Sequence, residues 1–279
     1  MTITDSELSA ALAGWDRPVL LIGCGNMAGA ILARWLECGL PPGRVRVVDP
    51  AKPSLAPGIV VETSLPEDIA PGSFVLIGIK PQQFDGIAAD LDARLGEGAT
   101  VLSIMAGLPL GLLGRALPSA QRIVRLMPNL PVRTGRGVVL TYSQNVDTDD
   151  VVRLLAPLGL VEALASEGDF DLGTALTGCG PAYVYRFIDA LAGAATRLGM
   201  DQAQSARLAL QMVAGAAATA SASADTPAAM ADAVASPGGM TRLGLDVLDA
   251  DEHLLALLTD TLRAARDRGA ELAAATLSA

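Results

Sequence analysis

Through the first half of the chain, short runs of branched aliphatic residues alternate with stretches of helical periodicity. Val19–Ile22, Val45–Val48, Ile59–Val61, Phe74–Ile79, Val101–Met105, Ile123–Leu126 and Val138–Tyr142 read as strands. Most are continuous apolar runs without a polar face. Strands covered on both sides read this way, so a parallel sheet is expected. A helix is predicted over Asn26–Cys38, ended by Gly39 with Pro41 and Pro42 beyond it.

After about Ser166 the pattern changes. Alanine replaces the β-branched runs, and helices are predicted over Pro181–Leu198, Asp201–Ala220, Pro227–Ala233, Thr241–Leu248 and Glu252–Ala275. Asp201 with Gln204 resembles a capping box. The division expected is an α/β domain over residues 1–165 and an all-α domain over residues 166–279, joined near residues 160–168. The helical half is rich in alanine and glycine and poor in charge through its middle. Such a surface asks to be covered by a second copy, so a homodimer through this domain, or a larger assembly, is expected, with packing entirely against the front domain as the alternative.

Of the 279 residues, 51% are hydrophobic, enough for a sizeable core. The net charge of −10 repels phosphate backbones and argues against nucleic acid as a partner. Cys24, Cys38 and Cys179 show no CxxC spacing, which disfavours a disulfide scaffold or a zinc site and favours a reducing cytoplasm. Met1–Trp15 lacks the basic and apolar regions of a secretory signal, and no run is apolar enough to span a bilayer.

The segment Gly23-Cys24-Gly25-Asn26-Met27-Ala28 follows the first apolar strand and opens a helix. Gly23 suits a tight turn, Gly25 lets backbone approach a pyrophosphate, and Ala28 permits close helix–strand packing. Free N–H groups at the helix start then face the phosphates. This is a Rossmann-type dinucleotide site, so NADP or NAD is the expected cofactor. Asp49 ends the second strand, where a carboxylate accepts from ribose hydroxyls and repels a 2′-phosphate; Lys52 would offset part of that repulsion.

His253 is the only histidine and lies outside any motif, which disfavours triads, histidine relays and histidine-bound metals. Lys52 and Lys80 are the only lysines, both in the front half, so the helical half carries no lysine acid/base. Oxidising an alcohol needs a group to take its proton, whereas a protonated imine accepts hydride without one. Imine reduction is therefore favoured, with Tyr183, Tyr185 and Asp189 left as alternative acids.

A second glycine motif, Ser236-Pro237-Gly238-Gly239-Met240-Thr241, lies between two predicted helices. It suits a nest of N–H groups for a carboxylate, or an ordinary turn with a capping hydroxyl. The segment resembles the S-P-G-G-x-T signature of the pyrroline-5-carboxylate reductase family. Four further blocks resemble that family in order: Ile22–Met27, Ile79-Lys80-Pro81-Gln82, Met127–Pro131 and Leu176–Val184. Together they cover about residues 19 to 265.

The resemblance implies reduction of 1-pyrroline-5-carboxylate to proline by NAD(P)H, the last step of proline biosynthesis, in an interlocked dimer or larger ring. It implies that Gly23, Cys24, Gly25, Asn26 and Met27 cradle the cofactor phosphates. Ile79, Lys80, Pro81 and Ala106 would flank the ribose and nicotinamide end. Ser236, Gly238, Gly239, Met240 and Thr241 would bind the substrate, the last three holding its carboxylate through N–H groups. The Thr241 hydroxyl would bond the ring nitrogen as the catalytic group. Two departures stand out: Asp49, where many members carry a small neutral residue, and Met240, where small residues are usual. A reductase of another cyclic imine or keto acid, and a non-catalytic NAD(P)H sensor, stay open.

Overall fold

The computed structural model describes residues 10–144 and 149–277; of the N-terminal stretch considered above, residues 1–9 lie outside the described residues. The sheet consists of β1 (Val19–Ile22), β2 (Val45–Val48), β3 (Val60–Glu62), β4 (Phe74–Ile77), β5 (Thr100–Ser103), β6 (Arg122–Pro128), β7 (Gly137–Tyr142) and β8 (Gly159–Ala163). Their order is β3-β2-β1-β4-β5-β6-β7-β8. Four helices join this half: α1 (Asn26–Glu37), α2 (Asp85–Asp92), α3 (Leu110–Ala116) and α4 (Asp149–Leu155).

The apolar runs are continuous because the strands are buried on two faces. Val19 and Leu21 of β1 join one core with Ile31 and Trp35 of α1. Leu20 and Ile22 join a second core with Ala88 and Leu91 of α2 and Leu113 of α3. Alternate residues thus meet opposite helix layers.

The expectation of a parallel sheet needs a correction. The pairings from β3 through β6 are parallel, but β7 runs antiparallel to β6. The connection Asn129–Arg136 is a short 3-10 segment closed by left-handed Gly135, too short for a crossover. β8, which hydrophobic pattern did not reveal, is a short edge strand parallel to β7.

Beyond the sheet come α5 (Phe170–Gly173), a π-helical turn at Thr174–Gly178, α6 (Gly180–Arg197), α7 (Gln202–Ala222), α8 (Pro227–Ala233), α9 (Met240–Asp249) and α10 (His253–Leu277). The Asp201 carboxylate accepts from Gln204 N–H at 2.9 Å, the N-cap expected of that pair. The compact units divide differently from the expected boundary at 165/166. One runs to Cys179 and takes in the chain from Ala265 on; the other is Gly180–Ala264. The reason lies in Phe170, which is buried with Met127 and Leu140 in a third cluster on the sheet.

The Gly180–Ala264 unit has almost no interior of its own. Only Ser205 and Ala209 are buried in it, while Phe187, Leu210, Met212, Leu243, Val247 and Leu255 are exposed. Among the described residues no helix is long and apolar enough to cross a membrane.

Candidate active site

At the end of β1 the chain turns through Gly23 at φ +82°. A Cβ there would lie 2.8 Å from Ile79 Cγ2 and 3.0 Å from the Gly78 carbonyl, so the position requires glycine in both space and conformation. Gly78 is equally confined: its Cβ would lie 2.8 Å from Ala28 Cβ, the close helix–strand approach for which Ala28 is small. Gly25 differs, because nothing lies within 4 Å of the Cβ it lacks. Its backbone faces open space.

α1 begins there without a side-chain cap or an acidic residue in its first turn. Its first helical bond runs from Gly29 N–H to the Gly25 carbonyl, leaving the N–H groups of Asn26, Met27 and Ala28 unbonded. An uncapped twelve-residue helix with glycine at its mouth suits a pyrophosphate.

Gly23, Gly25, Asp49, Ile79 and Lys80 line one cavity of about 460 Å³ at the ends of β1, β2 and β4. Thr63, Ser64 and Leu65, just past β3, complete it with Gln83 and Ile87. Sequence pattern missed these, although the carboxyl ends of parallel strands form the crevice in such sheets. Cys24, Asn26 and Met27 do not line it with side chains; Cys24 and Met27 pack against the core, and their loop contributes backbone. The Cys24 N–H donates to Asp49 Oδ2 at 2.8 Å. Burial, and then the charge of Asp49, raise the Cys24 thiol above its ordinary pKa. The thiol therefore stays neutral and adds no anion to the cradle.

Pro81 and Ala106 fall elsewhere, in a second cavity of about 160 Å³ with Gln82, Arg125, Met127 and Phe170. Arg125 is 5% exposed. Its guanidinium stacks 4.0 Å over the Phe170 ring and donates to Glu167 Oε1 at 2.5 Å. The same oxygen accepts from Leu110 N–H, the first residue of α3, at 2.6 Å. This ion pair ties the end of the Ala106–Pro109 segment to β6. Sequence reasoning missed both partners, since they lie far apart in the chain and only the fold joins them. Asn129 does a similar job: its amide donates to the Thr177 carbonyl in the π-helical turn and accepts from Val138 N–H.

In the helical unit, Ser236–Gly239 forms a turn with Gly238 at φ +71°. One expectation is corrected here. The Gly239 N–H donates to the Ser236 carbonyl at 2.9 Å and is not free for a ligand. The next three, at Met240, Thr241 and Arg242, have no acceptor, because the first helical bond of α9 comes from Leu243. α9 has no side-chain cap, Thr241 is exposed and Met240 is 94% exposed. Arg242 bonds Asp232 of α8 at 3.0 Å and Asp246 at 3.1 Å, bracing the turn from both flanking helices. His253 is exposed at the start of α10, and Asp189 pairs with Arg186 at 3.2 Å.

A doubly wound sheet with an open glycine cradle at its first helix defines a nicotinamide-dinucleotide oxidoreductase, here followed by a helical unit that lacks a core of its own. Residues 18–107 match the family model described as NADP oxidoreductase, coenzyme F420-dependent, and residues 167–272 match the model described as pyrroline-5-carboxylate reductase dimerisation. The chain is 31% identical over 264 residues to the pyrroline-5-carboxylate reductase of Pseudomonas aeruginosa, covering 91% of this chain and 96% of that one. It is 32% identical over 244 residues to the Escherichia coli enzyme of the same name, covering 84% and 90%. The structure of a pyrroline-5-carboxylate reductase from Coxiella burnetii superposes with a TM-score of 0.81 at 29% identity, covering 92% of this chain and 98% of that one. The chain belongs to the pyrroline-5-carboxylate reductase family.

Proposed function

We propose that this chain reduces 1-pyrroline-5-carboxylate to L-proline with NAD(P)H, the last step of proline biosynthesis. The observation that carries this reading is end-to-end similarity to enzymes of that name, over both the sheet and the helical unit. The cradle residues fit the cofactor: Gly23 makes the turn, Gly25 leaves room for the pyrophosphate, and the N–H groups of Asn26–Ala28 receive its charge. When bound, the reduced nicotinamide supplies the hydride for the C=N carbon.

The protein's own part is binding and orientation. The free N–H groups of Met240 and Thr241 hold the substrate carboxylate; Gly239 contributes the turn and Ser236 the carbonyl that fixes it. Gly238 supplies the left-handed step. The Thr241 hydroxyl hydrogen-bonds the ring nitrogen without acting as a net acid, since an aliphatic hydroxyl ionises far above neutrality. The imine nitrogen takes its proton from water, and this makes the carbon electrophilic before hydride arrives, so no protein side chain has to serve as the acid. Ile79 and Lys80, in the cradle cavity, and Pro81 and Ala106, in the second cavity, are assigned to the ribose and nicotinamide end of the cofactor.

The apolar faces of the Gly180–Ala264 unit support a homodimer through the helical domain. Three free cysteines support a cytoplasmic setting. Steady-state oxidation of NADH and NADPH with 1-pyrroline-5-carboxylate, 1-pyrroline-2-carboxylate and α-keto acids tests the reaction. Turnover is expected with the first; faster turnover of another substrate would reassign the enzyme.

A further inference from the structure

NADP differs from NAD by a phosphate on the adenosine 2′-oxygen, so the residue ending β2 meets either a phosphate or a hydroxyl. Here that residue is Asp49, half-buried and lining the cofactor cavity. Its carboxylate is fixed at both oxygens. Cys24 N–H donates to Oδ2 at 2.8 Å, and Ala51 N–H donates to Oδ1 at 2.8 Å. A carboxylate held by two amides, one of them in the phosphate loop itself, does not swing aside for an incoming anion. Each oxygen keeps accepting capacity for a hydroxyl.

The surroundings do not reverse the sign. Lys80, beyond β4, is the only cation lining the cavity. Lys52 follows Asp49 closely, but its side chain does not line the cavity; its N–H closes a turn to the Asp49 carbonyl. Arg46 on β2 is taken by Glu62, with contacts of 2.8 to 3.2 Å. A 2′-phosphate, carrying about two negative charges at neutral pH, would meet a fixed negative charge at the end of β2, with Lys80 beyond β4 as the one cation on the cavity wall.

We propose that Asp49 is the specificity-determining residue of the cradle and makes this chain select the dinucleotide with a free 2′-hydroxyl, so that NADH and not NADPH is its reductant. The choice of reductant rests on the reductase reading above; the selectivity in binding does not.

Equilibrium binding of NADH and NADPH to the full-length protein without substrate, followed by calorimetry at fixed salt, tests it. NADH is expected to bind at least about tenfold tighter, as befits like charges a few ångströms apart in partly screened surroundings. Asp49→Asn, which removes the charge and keeps an oxygen acceptor for one of the two amides, is expected to narrow that ratio by about tenfold, mainly by strengthening NADPH. Asp49→Ser is expected to shift it the same way. Equal affinities in the native protein, tighter NADPH, or an unmoved ratio in both variants would overturn the assignment. Selective NADH binding without turnover of any pyrroline carboxylate would sink the reductase reading and leave the selectivity standing.

Discussion

Removing Glu167 probes how the sheet holds the Ala106–Pro109 segment. The side chain of Arg125 is 6% exposed and that of Glu167 is 27% exposed, so the pair is neither deeply buried nor freely solvated. Glu167→Ala leaves the Arg125 guanidinium in place over Phe170 without its counter-charge, and leaves the Leu110 N–H without its acceptor. Arg125 Nε already lacks a partner, so the guanidinium has little to fall back on. Breaking a buried pair from one side costs about 3 to 5 kcal/mol. Water reaching the Glu167 side lowers the expectation to about 2 to 3 kcal/mol. Glu62→Ala is the control, because its partner Arg46 has a side chain 45% exposed and such pairs are worth about 0 to 1 kcal/mol. The double substitution Arg125→Met with Glu167→Ala removes both charges and should recover part of the loss. Urea unfolding at one fixed protein concentration measures all four proteins, since self-association makes stability concentration-dependent. If Glu167→Ala cost no more than Glu62→Ala, the pair would not be the brace described.

Gly23→Ala should destabilise the fold by about 2 kcal/mol, through left-handed strain and contact with Ile79, and weaken binding of either dinucleotide; unchanged binding would remove Gly23 from the cradle. Thr241→Ala should lower turnover about 10- to 1000-fold, the range for one well-aimed hydrogen bond; unaltered kcat and KM would show that the hydroxyl takes no part. Burial and Asp49 both raise the Cys24 thiol, so less thiolate is present at any pH and alkylation should be slower than for a free thiol. Mass spectrometry after iodoacetamide treatment reads this, and Asp49→Asn should speed it modestly; rapid labelling of Cys24 in the native protein would contradict the burial.

The local pattern sufficed for the β1–turn–α1 unit because each requirement there is met by neighbours in the chain: an apolar strand, a glycine turn, a small residue, an uncapped helix start. The same holds for the turn at Ser236–Gly239 as a place, and for a helical half unable to bury its own apolar residues. Tertiary structure alone decided the rest. It reversed β7, because the short link after β6 cannot cross the sheet. It moved the free amides of the second motif to Met240, Thr241 and Arg242, since the turn consumes the Gly239 N–H. It joined Arg125 to Glu167, and Asp49 to Cys24, across distances in sequence that no periodicity spans. Periodicity reports which face of an element is buried. Which hydrogen bond a buried amide or charge then makes depends on partners brought in from elsewhere in the chain.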